Sequence, residues 1–349
     1  EGGLMGKRKH RSPTPAPTID IEQMVRSFEP LLSPEEFELL QAEVGKPLLP
    51  AIRINPLKTQ PGFEQYLSSC YSWCLESLPF CPQGFRVTTG DGPAVSATLE
   101  HRLGMYYVQE AASMLPVELF SIEGGRGKLT LDMAASPGGK TTHLISRTGD
   151  RGLVIANDSS QGRMQALRIV LQNWGAVNTA VTRFPGEKLG AWFPDTFDRV
   201  LLDAPCSMQG LRTAASHPVK PVTSREINQL SLRQAALLVS ALRAVKPGGE
   251  VVYSTCTLMP EENEGVVDAV LKNSAGRVEL LDAQLVLPQP APGLTSLDDH
   301  EFFPGMERTI RLWPHRYQTA GFFACLLRKN ESMDHPSESV PARSLDRVG

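Results

Sequence analysis

Residues 128–143, KLTLDMAASPGGKTTH, contain the pattern that decides the fold. An apolar stretch at 128–134 predicts a buried strand, and the residues from 139 onward predict a helix, so two adjacent glycines lie in the connecting loop. Such a loop lets the backbone approach a ligand closely, and the helix N-terminus offers unpaired N–H groups to a negative group. It is not a P-loop, because Gly138, Gly139 and Lys140 are contiguous, whereas the Walker pattern separates its first glycine from the Gly-Lys pair. Taken alone, the loop is also compatible with an ordinary strand-to-helix turn.

Strand-like and helix-like segments alternate from this loop onward. Strands are predicted at 128–134, 152–158, 179–184, 197–205 and 250–256, with helices near 139–147, 159–174, 224–245 and 261–273. This alternation predicts an α/β fold with a parallel sheet covered by helices. A glycine turn at 246–250 lets the preceding helix end before the fifth strand, and the last strands are predicted at 308–314 and 321–329.

The chain before this sheet has a different pattern. A helical pattern begins at residue 19, and short strands at 51–57 and 84–90 flank a helix near 61–70, which predicts a small α+β module. We therefore divide the chain into a disordered basic tail (1–18), an N-terminal domain (19–105), a catalytic domain (106–330) and a disordered tail (331–349). The first tail contains too few apolar side chains to form a core.

Composition excludes several classes of protein. The 349 residues are 41% hydrophobic, and no apolar run reaches the roughly 18 residues of a membrane-spanning helix. Six cysteines are few for this length and no secretory signal peptide opens the sequence, so we expect a cytoplasmic protein with free thiols and no membrane partner. The net charge of −3 argues against a protein that coats nucleic acid indiscriminately. Cys70, Cys74 and Cys81 lack a matching Cys or His pair, so we expect no metal site.

The ends of the predicted strands should form the ligand site, because ligands of open parallel sheets bind outside the carboxyl ends of the strands. Asp158 ends the second strand, about 20 residues after the glycine loop, where dinucleotide-binding folds place an acid that binds ribose hydroxyls. The site thus fits an adenosine-bearing ligand whose amino-acid or phosphate end lies on the loop. Because the GxGxxG pattern of NAD-binding folds is missing, S-adenosyl-L-methionine fits better than a dinucleotide.

Two cysteines follow neighbouring strands. Cys206 lies in LLDAPCS at 201–207, and Cys256 lies in YSTC at 253–256. A single buried cysteine is usually a small hydrophobic residue, but two thiols beside a predicted methyl donor and Asp203 indicate chemistry. A thiolate can add to C6 of a pyrimidine, which makes C5 nucleophilic toward a methyl sulfonium. Asp203 is placed to act as the acid or hydrogen-bond donor at N3, and a base must later remove the C5 proton.

With these motifs the sequence resembles the RNA cytosine-C5 methyltransferases of the Sun family, especially the bacterial ribosomal-RNA members. The resemblance covers roughly residues 48–330 and includes, in the family's order, IRINPLK (52–58), MYYVQEAASMLP (105–116), LDMAASPGGKTTH (131–143), LLDAPCS (201–207), KPGGEVVYSTCTLMPEENE (246–264) and GFFACLLRK (321–329). It implies a Rossmann-like sheet of the S-adenosylmethionine-dependent methyltransferase type with a small N-terminal α+β domain. That domain, with Arg53 and Asn55 in its RIN motif, resembles the family's RNA-binding extension.

The same resemblance implies the roles of the site residues. Cys256 is then the nucleophile, Cys206 assists release of the methylated product, and Lys140 and Asp203 contact the target cytosine, with Asp203 also next to the donor methyl. The residues implied in binding S-adenosyl-L-methionine are Ala134, Ala135, Ser136, Pro137, Gly138, Gly139, Lys140, Asp158, Pro185 and Asp203. We expect a monomer that methylates cytosine C5 in RNA through a covalent Cys256–C6 adduct, with ribosomal RNA favoured and transfer RNA as the alternative.

Two regions depart from the family pattern. Pro185 stands where the family usually has an Asp that reaches the adenine amino group, and proline cannot make this side-chain hydrogen bond. Met208 and Gln209 stand in CSMQG where a Gly-rich CSGxG is typical, and the segment LRTAASHP at 211–218 lengthens the Arg-rich stretch that follows.

Two other functions compete with this prediction. Amino methyltransferases carry an Asp/Asn-Pro-Pro-aromatic motif at the fourth strand, but here the second proline and the aromatic residue are missing, and that chemistry needs no cysteine at position 256. The other alternative is a non-catalytic RNA-binding or ribosome-assembly protein that has kept the fold, which Pro185 supports. The presence of Cys256, Cys206, Asp203 and Lys140 argues against it.

Overall fold

A computed structural model describes residues 21–89, 92–122, 127–211 and 222–334. The tail predicted at 1–18, residues 335–349 of the second predicted tail and all but the first residue of the stretch at 211–218 lie outside these ranges. The strands form a four-stranded sheet, an eight-stranded sheet and a two-stranded sheet. None of the helices in the described part combines the length and the apolar character needed to span a bilayer.

The four-stranded sheet belongs to the N-terminal part of the chain. Its elements are α1 (Ile21–Arg26), α2 (Pro34–Val44), β1 (Ala51–Ile54), α3 (Phe63–Tyr71), β2 (Cys74–Leu78), β3 (Cys81–Thr89), α4 (Leu99–Arg102) and β4 (Tyr106–Val108). The strands lie in the order β2-β3-β1-β4 and all pair antiparallel. The last strand of this sheet, β4, therefore follows the domain boundary that we expected at residue 105.

The large sheet carries the candidate site. Its elements and those around it are α5 (Leu115–Glu118), β5 (Leu129–Asp132), α6 (Gly139–Arg147), β6 (Leu153–Asn157), α7 (Met164–Trp174), β7 (Thr179–Thr182), α8 (Gly186–Trp192), β8 (Phe197–Asp203), α9 (Ser224–Ala244), β9 (Val245–Thr255), α10 (Glu264–Asn273), β10 (Val278–Leu281), β11 (Ser296–Leu297), β12 (His300–Glu301), β13 (Ile310–Leu312), α11 (Pro314–Tyr317) and β14 (Phe322–Lys329). The glycine turn predicted at 246–250 lies inside β9.

The large sheet is mixed, so the predicted parallel arrangement describes only part of it. β7, β6, β5, β8 and β9 run parallel as neighbours in that order. β14 lies between β9 and β10 and pairs antiparallel with both, and β13 also pairs antiparallel with β14. The apolar pattern of a strand predicts burial but not direction, which is why the sequence does not predict this antiparallel edge.

Burial explains why the central strands form. Val200, Leu201 and Leu202 of β8 are fully buried, as expected for a parallel strand covered on both faces. The covering helix α9 begins with a capping box, in which the Thr223 hydroxyl accepts a hydrogen bond from the N–H of Glu226 and the Glu226 side chain bonds back to Thr223. These local signals agree with the tertiary packing, in which α9 lies against β8.

The RIN motif joins the small sheet to the large one. The Arg53 side chain is fully buried, and its guanidinium donates to the carbonyl of Gly139 (2.9 Å) and the hydroxyl of Thr142 (2.7 Å) in α6. Asn55, also fully buried, donates to the carbonyls of Gly104 (2.8 Å) and Trp174 (2.9 Å). The two polar side chains therefore make contacts inside the protein and are not exposed to an RNA ligand.

Candidate active site

A cavity of about 630 Å³ opens at the carboxyl ends of the parallel strands. Residues that follow β5, β6, β8 and β9 line it, together with Gly186 of α8 and two residues of α9. The lining residues for which the sequence predicts a function are Ala134, Ser136, Pro137, Asp158, Asp203, Cys206 and Cys256. They converge because neighbouring parallel strands carry their carboxyl ends to one edge of the sheet.

The glycine loop and Asp158 form one wall of this cavity. Gly138 has a φ of 115°, a conformation that favours glycine, and α6 begins at the next residue. The buried carboxylate of Asp158 accepts hydrogen bonds from the backbone N–H groups of Ser136 (3.2 Å) and Ser160 (2.8 Å) and from the guanidinium of Arg163 (3.0 Å). Asp158 thus ties the end of β6 to the loop after β5.

Lys140 and Asp203 form an ion pair beside this wall. The Lys140 ammonium donates to Asp203 Oδ2 (2.7 Å), and the Ser254 hydroxyl donates to Asp203 Oδ1 (2.8 Å). Burial disfavours the charged ammonium, but the Asp203 carboxylate outweighs this effect and raises the pKa of Lys140. Lys140 also lies over the ring of Phe322, 5.5 Å from its centroid. The pair therefore presents a fixed cation and a fixed carboxylate to one region of the site.

The two thiols predicted to carry the chemistry are in contact. The Sγ atoms of Cys206 and Cys256 lie 3.2 Å apart, and both residues line the cavity and are partly exposed. The hydrogen bond to Cys256, followed by burial, raises the pKa of Cys206 well above its ordinary value. The two thiols therefore share one region of the cavity, where the ionisation of one disfavours the ionisation of the other.

Asp132, the last residue of β5, is one of the strand-end residues of the predicted site, but the sequence prediction gave it no role. Its carboxyl is buried and accepts a hydrogen bond from the Thr141 hydroxyl (2.7 Å), while its Oδ1 atom has no partner among the described residues. Burial raises the pKa of Asp132 to about 7, and the nearby Asp203 carboxylate adds to this shift. Its position at a strand end inside the glycine-loop motif was the signal that could have identified it.

A second titratable cluster lies away from this cavity. The ligand atoms of Cys81, Glu118 and His143 lie within 4.8 Å of one another, and all three residues are buried. Glu118 already binds two cationic or polar partners, the His143 ring (2.9 Å) and the Arg147 guanidinium (2.5 Å). Burial lowers the pKa of His143 to about 4 and, with the Glu118 charge, raises that of Cys81 to about 12. The cluster is therefore a buried hydrogen-bonded network in which the Arg147 cation balances the Glu118 carboxylate.

Not every predicted cofactor residue reaches the cavity. Ala135 and Gly138 belong to the same loop as the lining residues, and Gly139 and Lys140 begin α6, but none of the four lines the cavity. Pro185 is exposed and precedes α8, whose first residue, Gly186, does line the cavity. Met208 lines the cavity with a φ of 59°, an unusual conformation for a residue other than glycine. The CSMQG departure from the family pattern therefore falls on the active-site wall.

The chain matches two protein-family descriptions. Residues 22–111 match the N-terminal domain of 16S rRNA methyltransferase RsmF, and residues 122–328 match 16S rRNA methyltransferase RsmB/F. Among curated proteins, it is 34% identical over 355 residues to ribosomal RNA small subunit methyltransferase F of Erwinia tasmaniensis, covering 97% of this chain and 70% of that protein. It is 36% identical over 319 residues to the protein of the same name of Salmonella paratyphi B, covering 91% and 64%. The chain thus spans about two thirds of the length of these relatives.

A solved structure supports the same fold. A methyltransferase homolog protein from Pyrococcus horikoshii superposes with a TM-score of 0.73 at 30% sequence identity, covering 88% of this chain and 99% of that one. The predicted fold class, a Rossmann-like methyltransferase sheet with a small N-terminal α+β domain, is confirmed.

Proposed function

Because the chain belongs to the 16S rRNA methyltransferase RsmB/F family, we propose that it methylates C5 of a cytosine in 16S ribosomal RNA. The observation that carries this proposal is the contact between Cys206 and Cys256 beside the Lys140–Asp203 ion pair. C5 of a cytosine becomes nucleophilic only after a nucleophile adds to C6, so this chemistry requires a reactive thiol. The amino-directed alternative does not use one.

The methyl donor is S-adenosyl-L-methionine, as the sequence predicted. The residues present fit this donor, because Ala134, Ser136 and Pro137, in the loop that leads into the N-terminus of α6, line the cavity together with the buried Asp158. Residues Ala134 to Lys140 and Asp158 would hold the donor, with Asp203 beside them. When bound, it supplies an electrophilic methyl group on a sulfonium.

Side chains of this protein carry out the steps at the cytosine ring. Cys256 Sγ forms a bond to C6, while Asp203 and Lys140 stabilise the cytosine ring at its N3 side. After C5 has accepted the methyl group, a base takes the C5 proton, and the electron pair of that C–H bond expels the Cys256 sulfur from C6 as a thiolate. Cys206, 3.2 Å from Cys256, assists this release. The partly exposed position of both thiols leaves room for a base that has been flipped out of its stack.

The small N-terminal domain, whose sheet includes β4, then supplies RNA contacts, and the domain of the large sheet supplies the chemistry, in a cytoplasmic monomer. The burial of Arg53 and Asn55 means that other residues of the small domain make the RNA contacts. Transfer RNA is the alternative substrate.

The test is methyl transfer from radiolabelled S-adenosyl-L-methionine to 16S rRNA, to assembled small subunits and to transfer RNA. We expect label in one of the two ribosomal substrates, at a cytosine that bisulfite sequencing identifies as 5-methylcytosine. Cys256→Ala is the control. Binding of RNA without any transfer would support a non-catalytic assembly protein instead, and label on an exocyclic amino group would support the amino-directed alternative.

A further inference from the structure

Glu262 lies beneath the loop that carries Cys206. It is fully buried, in the short helical turn at 260–262 that follows Cys256. Its carboxylate accepts hydrogen bonds from the backbone N–H of Ser207 (2.9 Å), from the Ser207 hydroxyl and from the side-chain amide of Gln234 (2.8 Å). All of these donors are uncharged, and each directs an N–H or O–H toward Glu262, so the residue at this position has to be a hydrogen-bond acceptor.

The same contacts bracket Cys206 on both sides. Gln234 donates a second hydrogen bond to the carbonyl of Pro205 (2.8 Å), so the residue before Cys206 is tied to α9 and the residue after it is tied to Glu262. With both neighbours fixed, the backbone of Cys206 has little freedom to move.

The network also reaches the loop of the other thiol. The hydroxyls of Ser207 and Thr257 lie 3.1 Å apart, and Thr257 directly follows Cys256. The Tyr253 hydroxyl, at the end of β9, donates to the backbone carbonyl of Glu262 (2.5 Å). Glu262 is thus the point at which the two cysteine loops are joined by side chains.

We propose that Glu262 is a positioning residue for Cys206, holding the helper thiol beside Cys256 so that the methylated product is released. This inference rests on the proposed function and deepens it. Glu262 is not one of the residues that line the cavity, so its effect on the reaction passes through the loop that carries Cys206.

The experiment compares Glu262→Ala, Glu262→Gln and Cys206→Ala in the full chain, with 16S rRNA and S-adenosyl-L-methionine. The readout is the fraction of protein linked to RNA after denaturing gel electrophoresis, measured with the methylation rate. Glu262→Ala should accumulate the Cys256–RNA adduct roughly tenfold over wild type, as Cys206→Ala does. The variant that lacks both side chains should accumulate no more adduct than Cys206→Ala, because the two changes impair the same step.

Glu262→Gln should release the product about as fast as the wild type. The oxygen of its carboxamide can accept from Ser207 N–H and Gln234, and its NH2 group can donate to the Ser207 hydroxyl. The matched control is Glu261→Ala, which removes an exposed carboxylate from the same turn. If Glu262→Ala does not fold, Gln234→Met removes the donor to both Glu262 and Pro205 and should give the same adduct.

The outcomes separate the two proposals. The role of Glu262 alone is overturned by the following result: the wild type transfers methyl groups and Cys206→Ala accumulates the adduct, but Glu262→Ala and Gln234→Met accumulate no more adduct than the wild type. An equal loss of activity in Glu262→Ala and Glu262→Gln without any adduct also overturns it. Absence of methyl transfer to every RNA and of adduct in Cys206→Ala overturns the proposed function, and the role of Glu262 with it.

Discussion

Cys206 Sγ and Cys256 Sγ lie 3.2 Å apart although 50 residues separate them in the sequence. The register of β8 and β9 produces this contact, since Asp203 pairs with Ser254, Cys256 directly follows β9, and Cys206 comes shortly after the end of β8. Thiolate anions would repel each other at this distance, so at most one of the two thiols is ionised. The protonation of each thiol therefore depends on that of the other.

Replacing Cys256 by Ala should abolish methyl transfer and leave binding of S-adenosyl-L-methionine nearly unchanged, because this thiol reacts with the base and not with the donor. Radiolabel transfer and titration calorimetry measure the two quantities on the same preparation. Retained turnover in this variant would contradict the nucleophile assignment.

Replacing Cys206 by Ala should allow the covalent bond between Cys256 and RNA to form but slow its release. We expect a protein–RNA species that survives denaturing electrophoresis and disappears when Cys256 is also replaced. Cys325→Ala is the matched control, since this thiol is buried in β14, away from the cavity wall. If the Cys206 variant never shows the species, Cys206 has no part in release.

Replacing Pro185 by Asp should tighten S-adenosyl-L-methionine binding about tenfold to a hundredfold, because one hydrogen bond to a charged acceptor contributes roughly 1.5–3 kcal/mol. Pro185 is also the N-cap of α8 and makes no side-chain cap, so an Asp there should stabilise the helix as well. Pro185→Ala removes the proline without adding an acceptor and is the control. Equal affinities of the Asp and Ala variants in calorimetry would mean that residue 185 does not face the adenine.

Asp132 should make the free energy of unfolding depend on pH. Its pKa is about 7 in the folded state and about 4 in the unfolded state. Between these pH values the Asp132 carboxyl holds a proton in the folded chain that it has lost in the unfolded chain. Raising the pH from about 4 to 7 therefore destabilises the wild type relative to Asp132→Asn, by up to roughly 4 kcal/mol. Urea denaturation at several pH values measures this difference, with the exposed Asp299→Asn as control. A difference that does not change with pH would contradict the prediction.

Replacing Arg53 by Lys should destabilise the protein by about 1–3 kcal/mol, because an ammonium cannot reproduce the buried bonds to Gly139 and Thr142. Since Gly139 begins α6 after the glycine loop, we also expect weaker donor binding. Denaturant unfolding and calorimetry test both effects against Arg102→Lys, an exposed arginine of α4. An RNA-binding defect without any loss of stability would show instead that Arg53 contacts RNA.

Local patterns were sufficient for the fold class and for predicting which strand-end residues lie together. The alternation of apolar strands and helices, the glycines before α6 and the polar residues at strand ends are properties of short segments. Parallel strands carry their ends to one edge, so Asp158, Asp203, Cys206 and Cys256 could be placed together from the order of the strands alone. This is the part that the sequence by itself determined.

Only the tertiary structure decided which of these groups touch and which are hidden. The antiparallel β14 between β9 and β10, the burial of Arg53 in the contact between the two sheets, and the bonds from Glu262 to Ser207 all join segments far apart in the chain. Strand direction and side-chain distance depend on how whole elements pack. No periodicity within a segment encodes that packing, because a hydrogen bond between distant residues forms only after folding has brought both partners together in the packed interior, away from water.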